Sequence, residues 1–373
     1  MLYLDNAATT PVRREALEAA WPYLTGTFGN PSSHHTAGEA AAAGLEDARR
    51  RAAAVLGVRR SDVVFTSGGT EGANLAIKGL ALAAPRGRHL VTSPIEHEAV
   101  LESVDHLARV HGFEVSFAEV GADGIVTPDA LRAVLRPDTT LVSLAHANNE
   151  IGAVADVPAL ADAAHEVGAL LHTDAVQAAG FLDLRGLGAD AITLSGHKLG
   201  APKGTGLAMI RGRLPLEPVI HGGGQESGRR SGTENVAFAV ALAVALELAE
   251  AEREEKAARL SALRNRLIGR VLAAYGGAML TGPRAPRHPA HASFCFPGVS
   301  GESILLDLEE RGVIASSGSA CAAGSDEPSH VLMALGIDRE IAQTAVRVTL
   351  AGSTTADDVD RAAAAFEDVL AGR

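Results

Sequence analysis

Residues 191–198 read Ala191-Ile192-Thr193-Leu194-Ser195-Gly196-His197-Lys198. The uncharged run at the front suits a strand buried on both faces, and the polar tetrapeptide behind it falls where a parallel strand ends at a crevice. Upstream, Leu170-Leu171-His172-Thr173-Asp174-Ala175-Val176-Gln177 repeats the plan, with an acid at the strand end and an amide three residues later. A lysine kept partly desolvated beside polarising groups can attack an aldehyde as a neutral amine. An aspartate at a neighbouring strand end can keep a pyridinium nitrogen protonated and so make the ring an electron sink, with Gln177 in reach of the ring oxygen. Taken alone, the same residues also suit a surface lysine and a helix-capping aspartate.

Outward from this stretch, strands and helices alternate. The pattern predicts strands at 63–66, 89–92, 114–117, 140–144, 169–173, 191–194 and 206–210, hence an α/β fold with a mostly parallel seven-stranded sheet covered by helices on both faces. Helices are expected at 13–24, 37–56, 70–82 with Thr70 at its start, from near Pro94 through Glu96-His97-Glu98, at 128–135 and at 158–167. A glycine-rich basic loop, 221–233, precedes a single long helical pattern from Glu234 to about Tyr275, polar enough after Glu247 to bridge to a second unit. That unit reads as smaller and α+β. The division expected is a large domain over 12–255 and a small one from 1–11 plus 256–373.

The chain has 373 residues, 47% of them hydrophobic, and a formal charge of -12, which argues against nucleic acid or an anionic membrane as the main partner. Two cysteines, Cys295 and Cys321, are too few for a disulfide framework, and no Cys/His cluster has zinc spacing, so no metal is expected and a reducing compartment is the default. No signal peptide is readable at the start, and the longest apolar run, Val236 to Leu248, is too short to span a bilayer. The expectation is a cytoplasmic protein.

Several residues can carry chemistry. Ser67-Gly68-Gly69-Thr70-Glu71, between a strand and a helix, gathers free backbone N–H groups at one place and suits an anion, to which Ser195 and His197 can add donors. His97 stands at a strand-to-helix junction, where it can lie on an aromatic ring, move a proton or simply cap. Cys321, within Ser316-Ser317-Gly318-Ser319-Ala320-Cys321-Ala322-Ala323-Gly324, has no large apolar neighbour and is placed to react, whereas Cys295 within Ser293-Phe294-Cys295-Phe296 is a core residue. Arg347, on an alternating strand, needs a carboxylate, either a ligand's or an internal one.

Together these stretches resemble the pyridoxal-phosphate-dependent cysteine desulfurases, on the aspartate-aminotransferase type of fold. The likeness rests on Tyr3 to Pro11, Gly29 to Ser33, Phe65 to Glu71, Glu96-His97, Asn148 to Gly152, Asp174 to Gln177, Ser195 to Lys198, Arg230 to Asn235 and Ser316 to Cys321, in that order. It implies that Lys198 links to pyridoxal 5'-phosphate, Asp174 holds the ring nitrogen, Gln177 the ring oxygen, and His97 stacks on the ring and assists proton transfer. Gly69, Thr70, Ser195 and His197 would hold the phosphate, joined by Thr233 from the other subunit of a homodimer. Asn149 and Arg347 would fix L-cysteine, whose sulfur passes to Cys321 as a persulfide, leaving alanine. The longer cysteine loop resembles the group that serves iron-sulfur assembly, so the expected partner is a sulfur-acceptor protein such as an iron-sulfur scaffold. An aminotransferase, or a selenocysteine or cysteine lyase that does not use Cys321, is the alternative. One departure is that Leu199-Gly200-Ala201-Pro202 lacks the tyrosine expected shortly after the lysine.

Overall fold

The computed structural model describes residues 1–318 and 327–371. The expected reactive thiol, Cys321, lies outside them.

The seven strands of the main sheet run in the order Val63–Thr66, Gly206–Ile210, Ala191–Ser195, Leu170–Asp174, Thr139–Ala145, His89–Thr92, Glu114–Phe117. Gly206–Ile210 is antiparallel to both its neighbours and every other pairing is parallel. Strands such as Ala191–Ser195 are buried along their whole length, which explains why they read as unbroken apolar runs rather than as an alternation. On one face, the helices Arg14–Thr25, Thr36–Leu56, Val157–Glu166 and Val236–Ala251 bury Ala16, Leu56, Leu160 and Leu242 against Val142, Leu171 and Ile192. On the other, Gly69–Ala83 and Glu98–His111 bury Leu75, Leu80, Val100 and Leu107 against Leu90, Leu141 and Ala208.

The long helical pattern is corrected: it is two helices, Val236–Ala251 and Arg253–Ala274, broken at Glu252. Their surroundings differ. Val236–Ala251 is apolar all round because it is enclosed, packing between Arg14–Thr25 and Thr36–Leu56, with alanines that let the backbones approach. Arg253–Ala274 buries one stripe, Leu260, Leu267 and Val271, against Ala356–Leu370 and the three-stranded antiparallel sheet of Met279–Leu280, His291–Cys295 and Val346–Thr349. Phe294, Phe296 and Phe366 meet there with ring centroids 6.0 to 6.3 Å apart. Cys295 is buried in this sheet, and its burial pushes the thiol up to about 11, as befits a core side chain.

The N-terminal residues cross from one sheet to the other. Leu2–Tyr3 pairs with Val313–Ile314, Thr349 N–H donates to Leu4 O, and Asn6 Nδ2 and Ala7 N–H donate to Thr349 O and Oγ1, each at 2.8 Å. No helix among the described residues is long and apolar enough to cross a membrane.

Candidate active site

Asp174 and Ser195 end adjacent parallel strands, so the ladder fixes their side chains along one edge of the sheet. Gly69 opens the helix Gly69–Ala83 directly opposite: a Cβ there would lie 2.8 Å from Val176 Cγ2 and 3.4 Å from Ser195 Cβ. Only glycine leaves this gap between the helix N-terminus and the strand ends. Gly206 does similar work behind it, since a Cβ would lie 2.6 Å from the Gly68 backbone. Thr70 is not the cap expected from sequence; Gly68 precedes the helix, with no side-chain cap, and Thr70 sits in the first turn. The helix dipole and uncapped amides therefore face the same gap as Ser195.

Burial raises the proton affinity of the Asp174 carboxyl, opposed by the Val176 amide, which donates to Oδ1 at 2.9 Å, and by the nearby His97 and Lys198. Those three side chains thus share one electrostatic neighbourhood. His97 is the N-cap of Glu98–His111 rather than a residue within it: its Nδ1 accepts from Ala99 N–H at 3.0 Å, which puts the proton of the neutral ring on Nε2. His197 is pushed down to about 4 by burial and then by the Lys198 and Lys203 cations, so it is a neutral imidazole, with Nδ1 3.1 Å from Thr9 Oγ1.

On the opposite side lies the N-terminal crossing. The Lys198 ammonium donates to Ala8 O at 2.7 Å and to Ala7 O, and Gln177 Nε2 donates to Ala7 O at 3.1 Å. Arg347, buried in Val346–Thr349, donates to Asp5 Oδ1 at 2.7 Å and to the carbonyls of Asn149 and Gly318 at 3.0 Å each, while its Nε meets no acceptor among the described residues. Ser316 exchanges backbone hydrogen bonds with Arg347, so the start of the segment leading to Cys321 is held beside this guanidinium. Asn148 braces the turn carrying Asn149, accepting from the amides of Glu150 and Ile151 and donating to Ile95 O at 2.7 Å.

The structure therefore gathers Gly69, Thr70, Asp174, Ser195 and His97 at the strand ends, and Lys198, Gln177 and His197 against the N-terminal crossing, with Asn149 and Arg347 tied to each other beyond it. Thr233 stands apart: it is exposed and lines a groove of about 200 Å³ with Ser67 and Arg230 of its own chain. Arg230 forks onto Glu71 at 2.8 and 3.3 Å, which anchors the loop carrying Thr233 to the turn carrying Gly69. Sequence reasoning assigned no role to Asp5, Ala7, Ala8 or Asn148. Asp5 was within reach as the internal acid that Arg347 demands; the two alanines act through carbonyls, which leave no trace in residue type.

A class-V aminotransferase model matches residues 2–362. The chain belongs to that family. Within it, the chain is 43% identical over 372 residues to a cysteine desulfurase IscS of Dictyoglomus turgidum, covering 99% of this chain and 94% of the relative. It is 44% identical over 363 residues to the cysteine desulfurase IscS of Methanosarcina thermophila, covering 96% and 89%. A NifS-like protein superposes over the whole of both chains with a TM-score of 0.92 at 36% identity. The structure of SspA in complex with cysteine gives 0.83 at 33%, covering 95% of this chain and all of that one. These likenesses span the sequence end to end and place the chain among the cysteine desulfurases of the class-V family.

Proposed function

We propose that this protein removes sulfur from L-cysteine, releasing L-alanine and carrying the sulfur on Cys321 as a persulfide, with pyridoxal 5'-phosphate as cofactor. The observation that carries the reading is a buried Asp174 carboxyl, within the electrostatic reach of His97 and Lys198, at a strand end next to the Val176 that borders the Gly69 gap. A buried acid with raised proton affinity fits a partner that arrives with a cationic N–H, and a helix N-terminus approached by Ser195 fits a phosphate. The residues present suit this group.

Bound there, the cofactor supplies an aldehyde carbon for amines and a protonated ring that takes up negative charge. Asp174 holds the proton at the ring nitrogen. Gln177 Nε2, now on Ala7 O, is the donor for the ring oxygen, and the amides of Gly69 and Thr70 with Ser195 and neutral His197 grip the phosphate. Lys198 would be the residue that holds the cofactor covalently, and its amine is the group that would move a proton at the substrate's Cα. His97 would hold the ring by stacking and offer Nε2 for the proton traffic, since Nδ1 is spent on the Ala99 amide. Arg347 takes the substrate carboxylate through its unmatched Nε, with Asn149 beside it. The Cys321 thiolate then attacks the substrate sulfur: an S–S bond forms, the C–S bond breaks, and the electron pair stays with carbon until protonation completes alanine.

An exposed stripe on Arg14–Thr25, comprising Leu17, Trp21 and Leu24 at helical spacing with Phe28 next to it, supports a homodimer in which Thr233 reaches the partner's phosphate site. A cytoplasmic setting and an iron-sulfur scaffold as acceptor complete the reading.

Cys321→Ala is the test. Alanine production from L-cysteine should vanish while the cofactor's absorbance is kept; undiminished turnover would favour a lyase that leaves Cys321 idle.

A further inference from the structure

Beside the Lys198 turn lies a cavity of about 470 Å³, most of whose lining has no part in the proposed chemistry. Gln177 and Lys198 belong to its wall; among the described residues, Asp174, His97, Asn149, Ser195 and Arg347 do not. Its volume is that of a pocket for a small organic molecule.

The wall has a distinct character. Gly200, within the stretch 199–202 that lacks the expected tyrosine, has a φ of 84°, and the stem of Arg13 lies over it, with Cγ 2.6 Å from where a Cβ would be. The Arg13 guanidinium forks onto Glu252 at 2.7 and 2.6 Å, so these two charges cancel. Lys256 is left: among the described residues its ammonium meets no hydrogen-bond acceptor, and its contact is the face of the Phe181 ring, 4.8 Å from the centroid. Burial brings it down to about 8 even though Glu252 and Glu250 stand near enough to offset part of the loss, which marks a cation stripped of water and bonded to neither carboxylate. Phe181, Leu199, Leu350 and Ala351 supply apolar wall.

We infer that this cavity is a second binding site, for a small organic carboxylate whose apolar body lies against Phe181 and Leu350 and whose anionic head meets Lys256. The occupant would touch Gln177 and Lys198 from the side away from the substrate. The site goes beyond the desulfurase reading and stands without it.

The test is calorimetric titration of the full-length protein with 3-phenylpropanoate and with 3-phenylpropan-1-ol. The carboxylate should bind saturably and the alcohol at least about tenfold more weakly, the difference expected of a charge-assisted contact. Lys256→Met should weaken the carboxylate by a similar factor, and Ser353→Trp, at the exposed rim, should abolish binding of both. Absence of saturable binding, or equal affinity in wild type and Lys256→Met, would overturn the inference; the latter would put the carboxylate on Arg347 instead.

Discussion

Asp174 and Ser195 stand at the ends of neighbouring parallel strands, with Asp174 in the field of Lys198, whereas Ala7 and Ala8 meet Lys198, and Asp5 meets Arg347, from an irregular crossing held mainly by Thr349. On the sheet side, positions are set by a ladder and by buried apolar faces, so one side chain cannot shift without its neighbours. On the crossing side, two carbonyls and one carboxylate satisfy Lys198, Gln177 and Arg347 with a handful of hydrogen bonds. In the proposed reaction the sheet side would supply what the chemistry needs throughout, while the crossing side would supply partners that a cofactor and substrate replace.

That contrast makes ordered demands on mutants. On the proposed reading Asp174→Asn would remove the charge that holds the ring nitrogen's proton and should lower kcat/KM for alanine formation by about a thousandfold, on the scale of a lost preorganised charge. A loss below about tenfold would mean that the sheet side is not the electron-sink side. Asp5→Ala leaves the Arg347 guanidinium buried without its carboxylate and should cost about 3 kcal/mol in denaturant unfolding. A cost near zero would show that the crossing contributes nothing to the resting state.

Glu96 sharpens the comparison through pH. Burial raises its carboxyl to about 8, and Asp174 adds to the rise. The folded chain therefore keeps a proton that the unfolded chain releases, so this contribution is full below the unfolded value of 4.5 and is lost as pH climbs through about 8. Glu96→Gln should remove that decline, gaining about 4 kcal/mol over wild type between about pH 5 and pH 8. Parallel stability–pH curves for the two proteins would contradict the assignment. Gln177→Leu is the mildest case: it removes one donor now spent on Ala7 O and should lower kcat/KM by about tenfold at unchanged fold stability.

Much of this was legible in the sequence. Uncharged runs such as 191–194 suited strands buried on both faces, and the residues just past them fell at the strand ends, as expected. The break at Glu252 was hidden because 249–256 carries no proline or glycine to mark it, and the change is in what surrounds the two helices. Thr70 was misread as a cap because the gap at Gly69 requires glycine where a hydroxyl would ordinarily serve. The carbonyls of Ala7 and Ala8 could not be read at all, since a backbone acceptor has no letter.

The account turns on whether sulfur leaves L-cysteine for Cys321. Peptide mass spectrometry of the protein after brief exposure to L-cysteine should find one added sulfur atom on the peptide bearing Cys321, with none on Cys295 and alanine formed in equal amount. Alanine accumulating while the Cys321 peptide keeps its original mass, with free sulfide in its place, would contradict it.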